Sequence, residues 1–234
     1  MMISIIIPTL NEEENLEPCL RSILNQTHKD FEVFLVDGKS KDGTVEIARK
    51  LGVRVFEVKK RRPHDVSFAR NEGTRFAKGD ILVFLDADTL LSRNCLEVLD
   101  KHFQEPGVVG VSFKTIPLKG NKLEHFLYNC NNVLKNFAHS IGTYPLSYFS
   151  CLGYGREPFY KVGGFREDLY SCEDLDIARR LSKLGRFILT DEALCFTSPR
   201  RLRYWSTRGY LTKYMKFLAQ YYLLDRISDH YEDL

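Results

Sequence analysis

Three observations predict an α/β protein with a mostly parallel central sheet flanked by helices. Ile81-Leu82-Val83-Phe84-Leu85 is an unbroken apolar run, which suits a strand covered on both faces between helix layers. Strand-like and helix-like stretches alternate along the first half of the chain, which implies right-handed crossovers and parallel neighbours. At 234 residues the chain makes one large or two small domains, enough to bury a core.

Taken in order, Ile3 to Pro8 is a buried first strand that the proline ends. Asn11 with Glu14 three residues on has the form of a capping box, opening a helix that runs to about Gln26. Phe31 to Asp37 is a second strand, and Lys39 to Thr44 a polar turn before a helix over 45–51. Val53 to Val58 is a short third strand. Val66, Ala69, Gly73, Phe76 and Ala77 keep helical spacing, and a strand over 80–85, a helix over 92–104 and a strand over 108–113 continue the alternation.

In the second half, Ser171 and Asp174 make a Ser-x-x-Asp capping box before an amphipathic run over 175–181. Gly163-Gly164 marks a close turn, and Ala193 to Phe196 is a strand. Phe126, Tyr128, Phe137, Tyr144, Tyr148, Phe149 and Tyr154 read mainly as core and helix packing. From Ser206 onward Tyr210, Leu211, Tyr214, Met215, Leu218, Tyr221 and Tyr222 recur at helical spacing, with Arg208, Lys213 and Lys216 elsewhere on the turn. Most such helices pack on their own domain, but this composition also suits a membrane-surface helix.

Thirty-four Lys and Arg against 31 Asp and Glu leave a net charge of +3, so the molecule as a whole is no polyanion binder and nucleic acid is not an expected partner. Locally the balance fails, because Arg200, Arg201, Arg203, Arg208, Lys213 and Lys216 cluster with almost no acid among them. Cys19, Cys95, Cys130, Cys151, Cys172 and Cys195 lack the close spacing of zinc or redox motifs and read as small buried hydrophobes in a reducing compartment. Ile3 to Ile7 has no basic residue before it and is cut by Pro8, so it is not a secretory signal, and no later run approaches a membrane span. A soluble, cytoplasmic protein is expected, with peripheral membrane contact open through the last helix.

The chemistry centres on Asp86 and Asp88, at the carboxyl end of the apolar strand, where ligands bind in open α/β sheets. Two adjacent carboxylates repel unless something positive joins them. A Mg²⁺ or Mn²⁺ ion carrying substrate phosphates suits the pair, because such ions take one or two carboxylates and complete their shell elsewhere. The competing reading is a solvated turn with Asp88 or Thr89 capping the next helix. No Gly-x-Gly-x-x-Gly follows the first strand and no Gly-Lys-Ser/Thr loop appears, so phosphate must be held by other means. Arg70 is either a solvated helix residue or a forked partner for a phosphate or acid. Asp174, from spacing alone, is a helix cap.

Four segments, in order and spacing, resemble glycosyltransferase family 2, the inverting nucleotide-sugar enzymes of GT-A fold. They are Ile-Ile-Ile-Pro-Thr-Leu-Asn-Glu-Glu at 5–13, Val-Asp-Gly-Lys-Ser-Lys-Asp-Gly-Thr at 36–44, Ala-Arg-Asn-Glu-Gly at 69–73 and Phe-Leu-Asp-Ala-Asp at 84–88. Gly153-Tyr154-Gly155-Arg156 through Val162-Gly163-Gly164-Phe165 looks like the family's acceptor-side segment, and Glu173-Asp174 like its Glu-Asp motif. The resemblance implies that Thr9 and Asp37 contact the nucleotide base, Glu12 the ribose region, and Arg70 the base or phosphate side. It implies that Asp86 touches ribose or metal, that Asp88 coordinates Mg²⁺ or Mn²⁺ on the diphosphate, and that Asp174 is the catalytic base, with Glu173 and Asp176 as substitutes. Many GT-A enzymes add a late histidine; this chain has Thr197-Ser198-Pro199-Arg200-Arg201 there, so Arg200 or Arg201 is expected to clamp the diphosphate directly.

The resulting expectation is one GT-A domain over 1–234, with a nucleotide-sugar half to residue 112, an acceptor half over 113–205 and a C-terminal amphipathic helix over 206–234. It would move a sugar from a nucleoside-diphosphate donor to a hydroxyl or a polyprenyl phosphate on a saccharide or lipid-linked acceptor. A nucleotidyltransferase and a non-catalytic nucleotide-sugar or nucleic-acid binding module are the rivals.

Overall fold

In the computed structural model, which describes residues 1–59, 65–140 and 150–224, helices cover both faces of one sheet. The elements run β1 (Ile3–Thr9), α1 (Glu13–Leu24), β2 (Phe31–Asp37), α2 (Thr44–Lys50), β3 (Arg54–Glu57), α3 (Val66–Thr74), β4 (Ile81–Leu85), β5 (Thr89–Leu91), α4 (Cys95–Phe103) and β6 (Val108–Pro117). There follow α5 (Lys122–Ser140), β7 (Cys151–Gly155), α6 (Arg156–Lys161), α7 (Glu173–Leu181), β8 (Arg186–Thr197) and α8 (Arg200–Leu224). The strand order is β3-β2-β1-β4-β7-β6-β8-β5. The block β3-β2-β1-β4 is parallel, as expected, whereas β7 runs antiparallel to both β4 and β6.

The central strands show why continuous apolar runs are needed here. On β4, Ile81, Val83 and Leu85 join a core layer with Leu16, Leu20 and Leu96, while Leu82 and Phe84 join the opposite layer with Ala69, Phe159 and Ile177. Successive side chains point to opposite faces, so a strand between two helix layers has no position left for a polar residue. The helix α3 comes unusually close to the sheet: a Cβ on Gly73 would stand 2.5 Å from Ile6 Cγ2 and 2.9 Å from Val36 Cγ2.

Several sequence expectations are corrected. Asn11 does not cap α1; it lies at φ 53°, and its carboxamide oxygen accepts the Lys41 amide, because the turn after β2 competes successfully for it. Ser171 does not cap α7, whose N-cap is Cys172 in the left-handed region with no side-chain bond. The strand expected over 193–196 is the last part of the longer β8, which pairs with β6 and β5. The last helix starts at Arg200 rather than 206.

Phe126 and Phe137, expected in packing, are each 62% exposed on α5, whereas Tyr154 is fully buried. Tyr144, Tyr148 and Phe149, and the side chains of Arg208, Tyr210, Leu211 and Tyr214, lie outside the described residues. On α8, Phe217, Leu218 and Tyr221 are buried against Leu169, Cys172 and Leu175, while Tyr204, Met215, Tyr222 and Leu223 are exposed. Of the apolar stripe read in the sequence, Leu218 and Tyr221 therefore pack inward, whereas Met215 and Tyr222 do not. The cysteines are free, all buried except the half-buried Cys130. Among the described residues no helix is long and apolar enough to cross a membrane.

Candidate active site

The carboxyl ends of β1, β2 and β4 bring Thr9, Asp37, Asp86 and Asp88 to one edge of the sheet, with Thr9 opposite Asp37 in register. Asp37 is fully buried, and its carboxylate accepts the Ser40 amide at 2.8 Å, the Ser40 hydroxyl at 2.5 Å and the Thr9 hydroxyl at 3.3 Å. Those bonds hold a negative group rigidly at the strand end. The turn after β2 also binds the segment after β1, for the Glu12 amide donates to the Thr44 hydroxyl at 2.8 Å.

Asp86 and Asp88 lie at a turn, but Asp88 is not solvated there and no helix follows for it to cap. Asp88 is only 12% exposed at its side chain; its Oδ1 accepts from Thr197 at 3.3 Å, and the strand β5 follows directly instead of a helix. Burial and the neighbouring Asp86 charge push its carboxyl up to about 6, against the pull of Arg200 and Arg201. Arg200, at the start of α8, places its Nε 3.2 Å from Asp88 Oδ2 and grips both oxygens of Glu12. Arg201, exposed one residue on, adds positive charge at Asp88 and at Asp174. These two arginines supply positive charge at the segment where the chain has no histidine.

The second cluster surrounds Arg70. The guanidinium is 4% exposed, and Nη1 donates to Asp174 at 2.8 Å and Glu173 at 3.1 Å while Nη2 donates to Asp86 at 3.1 Å. The solvated-helix reading of Arg70 is thereby excluded. Burial opposes its charge, but Asp174, Asp86 and Glu173 outweigh that and hold its pKa above the ordinary value. Burial pushes the Asp174 carboxyl up to about 8; Arg70 pulls it down, and the charges of Glu173 and Asp86 add to the rise. Asp176, a substitute for the base on sequence grounds, instead faces Arg180 and Tyr221.

Lys135 of α5 was not singled out by its sequence context. It is 5% exposed, and burial lowers its pKa to about 8, with the Asp174 charge opposing. A lysine among Asn132, Asn136 and other helix polars carries no periodic signal that separates it from a solvated residue.

The donor set at the strand end can be tested against a divalent cation. Among the described residues no group of three or more His, Cys, Asp or Glu side chains is arranged to hold a metal ion. Two carboxylates at one strand end, one of them partly open at 32% side-chain exposure, still fit a hard cation that brings phosphate and water oxygens with it.

Comparison with known proteins agrees with this architecture. The model of glycosyl transferase family 2 matches residues 4–163. The chain belongs to glycosyl transferase family 2. An uncharacterized glycosyltransferase of Haemophilus influenzae is 28% identical over 194 residues, covering 77% of this chain and 62% of its own. The poly(ribitol-phosphate) beta-N-acetylglucosaminyltransferase TarP of Staphylococcus aureus is 32% identical over 161 residues, covering 59% and 49%. The chain thus spans about half to three fifths of these relatives. Among solved structures, a mannosyltransferase from Pyrobaculum calidifontis in complex with GDP-Man and Mn²⁺ superposes with a TM-score of 0.68 at 24% identity, covering 92% of this chain and 64% of that one. TarS of S. aureus with UDP-GlcNAc gives 0.64 at 19%, covering 83% and 58%. These two establish the family 2 member as GT-A in fold.

Proposed function

We propose that this family 2 domain is a glycosyltransferase that moves a sugar from a nucleoside-diphosphate donor to an acceptor hydroxyl, with inversion at the anomeric carbon. The observation that carries the reading is Arg70, buried between Asp174 and Asp86, which joins a candidate base to the acids at the strand end. The nucleotide sugars in the two solved neighbours support the donor class.

In this reading Thr9 and Asp37 take the base, Glu12 faces the ribose, and Asp86 with Asp88 forms the edge on which the diphosphate sits. A divalent ion, Mg²⁺ or Mn²⁺, held by Asp88 and Asp86 would neutralise charge developing on the leaving diphosphate. Arg200 and Arg201 provide fixed positive charge on the same side, so part of that stabilisation stays with the protein. Asp174 accepts the proton of the attacking hydroxyl. Its raised pKa favours a hydroxyl acceptor over a polyprenyl phosphate, because a base matched to the working pH is useful only where a proton must be removed.

In this reading the nucleotide-sugar half runs to about residue 112 and the acceptor half follows it, with Arg200 and Arg201 reaching back to the donor side. Exposed Tyr204, Met215, Tyr222 and Leu223 on a helix without acids support peripheral membrane contact at the cytoplasmic face, to be tested by sedimentation with anionic vesicles. The direct test of donor binding is a thermal shift with nucleoside diphosphates and their sugars, with and without Mn²⁺. At a hundredfold excess over Kd a true donor adds about 2.7 kcal/mol. Asp88→Ala is expected to remove the Mn²⁺-dependent part; a shift from no nucleotide sugar would contradict the reading.

A further inference from the structure

On α7 a second ion pair joins Asp176 to Arg180. Asp176 is 3% exposed; its Oδ2 accepts from Arg180 Nε at 2.8 Å and its Oδ1 from the Tyr221 hydroxyl of α8 at 3.0 Å. The other nitrogens of Arg180 go to main-chain carbonyls, Val162 at 2.6 Å and Gly164 at 2.7 Å. The loop held in this way contains Gly163 at φ 82° and Gly164 at φ 69°, a conformation that side chains resist.

The far edge of the loop is held from α3. Asn71 accepts the Phe165 amide at 3.0 Å and donates to the Phe165 carbonyl at 2.9 Å. A Cβ on Gly164 would stand 2.8 Å from Asn71 Oδ1, so backbone and carboxamide meet closely. The Phe165 ring, 2% exposed, then lies 5.2 Å from the guanidinium carbon of Arg70. Arg70 Nε has no hydrogen-bond partner among the described residues, so its nitrogens on the acids and the ring beneath it set its rotation.

We propose that Asp176, Arg180 and Asn71 are positioning residues that lock the 162–165 loop, so that Phe165 holds Arg70 where it reaches Asp174, Glu173 and Asp86 together. The kinetic half rests on the reading above; the structural half does not. A small displacement of the ring lengthens the bonds from Arg70 to all three acids, and placement errors of about 1 Å cost on the order of a hundredfold in rate.

The test compares Arg180→Ala, Arg180→Lys and Asp174→Asn, singly and as the Arg180→Ala/Asp174→Asn double variant, by kcat, by Kd for a nucleoside diphosphate and by amide hydrogen exchange. Arg180→Ala is expected to lower kcat about tenfold or more while Kd stays within about twofold, with part of kcat restored by lysine. It is expected to lower kcat no further when Asp174 is already Asn, because both act through one unit. Exchange should accelerate in residues 162–165 and around Arg70, and not across β1, β2 and β4. Unchanged kcat, additive losses in the double variant, or a rise in Kd and a loss of global protection in step with the loss of kcat would overturn the proposal. If the wild-type chain turns over no sugar donor, the functional reading falls instead. Exchange then decides alone: local acceleration upholds the loop's role, and uniform or absent acceleration removes it.

Discussion

Arg70 satisfies three carboxylates from a position almost without solvent, and each of those acids would be costly to bury alone. The consequence for Asp174, the proposed base, is a carboxyl held in place by a cation yet protonated easily because burial dominates. Asp174→Asn should lower kcat by about 10²–10⁴ while leaving donor affinity near wild type. The pH profile of kcat/KM for the wild-type chain should rise toward a limb near 8, since only the ionised carboxylate accepts a proton. A profile flat from pH 5 to 9 would exclude Asp174 as the base. Part of this was legible: Arg70 lies four residues after Val66 and three before Gly73, on the apolar stripe of its own helix. What spacing could not show was Asp174 across the fold, over a hundred residues away in sequence, which turns a helix-cap motif into an ion pair.

At the scale of elements, the closeness of α3 to the sheet is what buries Arg70, and Gly73 permits it. Gly73→Ala gains helix propensity of about 1 kcal/mol but forces a methyl into Ile6 and Val36, where overpacking costs about 1–3 kcal/mol. Net destabilisation is expected, read as a lower Tm together with weaker donor binding. A variant of unchanged Tm would show that α3 can move out freely. The parallel strands β1 to β4 were legible because apolar runs and punctuation agree there. The strand β7 was not, since Gly153 and Gly155 argue against a strand by composition, yet Gly153 is needed where Leu99 comes within 2.7 Å of any added Cβ. Both capping boxes were lost for one reason: tertiary partners outbid local ones, Lys41 for Asn11 and Arg70 for Asp174.

The whole molecule gathers acids at the end of its sheet and opposes them with arginines from α3 and α8. Asp88 and Asp174 have pKa values raised to about 6 and about 8, so these two groups bind more protons in the folded chain than in the unfolded one between about pH 4 and pH 8. Stability contributed by these groups is complete below the unfolded carboxylate pKa and is lost as pH rises through the folded values. Without metal or donor, Tm should therefore fall over that window. Asp88→Asn should flatten the fall, gaining up to about 3 kcal/mol at pH 8 for a shift near two units. A steeper fall in the variant would contradict the burial-dominated reading of Asp88. Cation or donor binding should likewise flatten the slope.

The central claim is that the acids beside β4 hold an activated sugar and let its diphosphate leave. It is tested most directly by incubating the chain with a nucleotide sugar identified by thermal shift and following the nucleotide product. The account predicts nucleoside diphosphate released together with sugar transfer, abolished in Asp88→Ala and reduced in Asp174→Asn. Release of pyrophosphate, or equal turnover by Asp88→Ala, would contradict it.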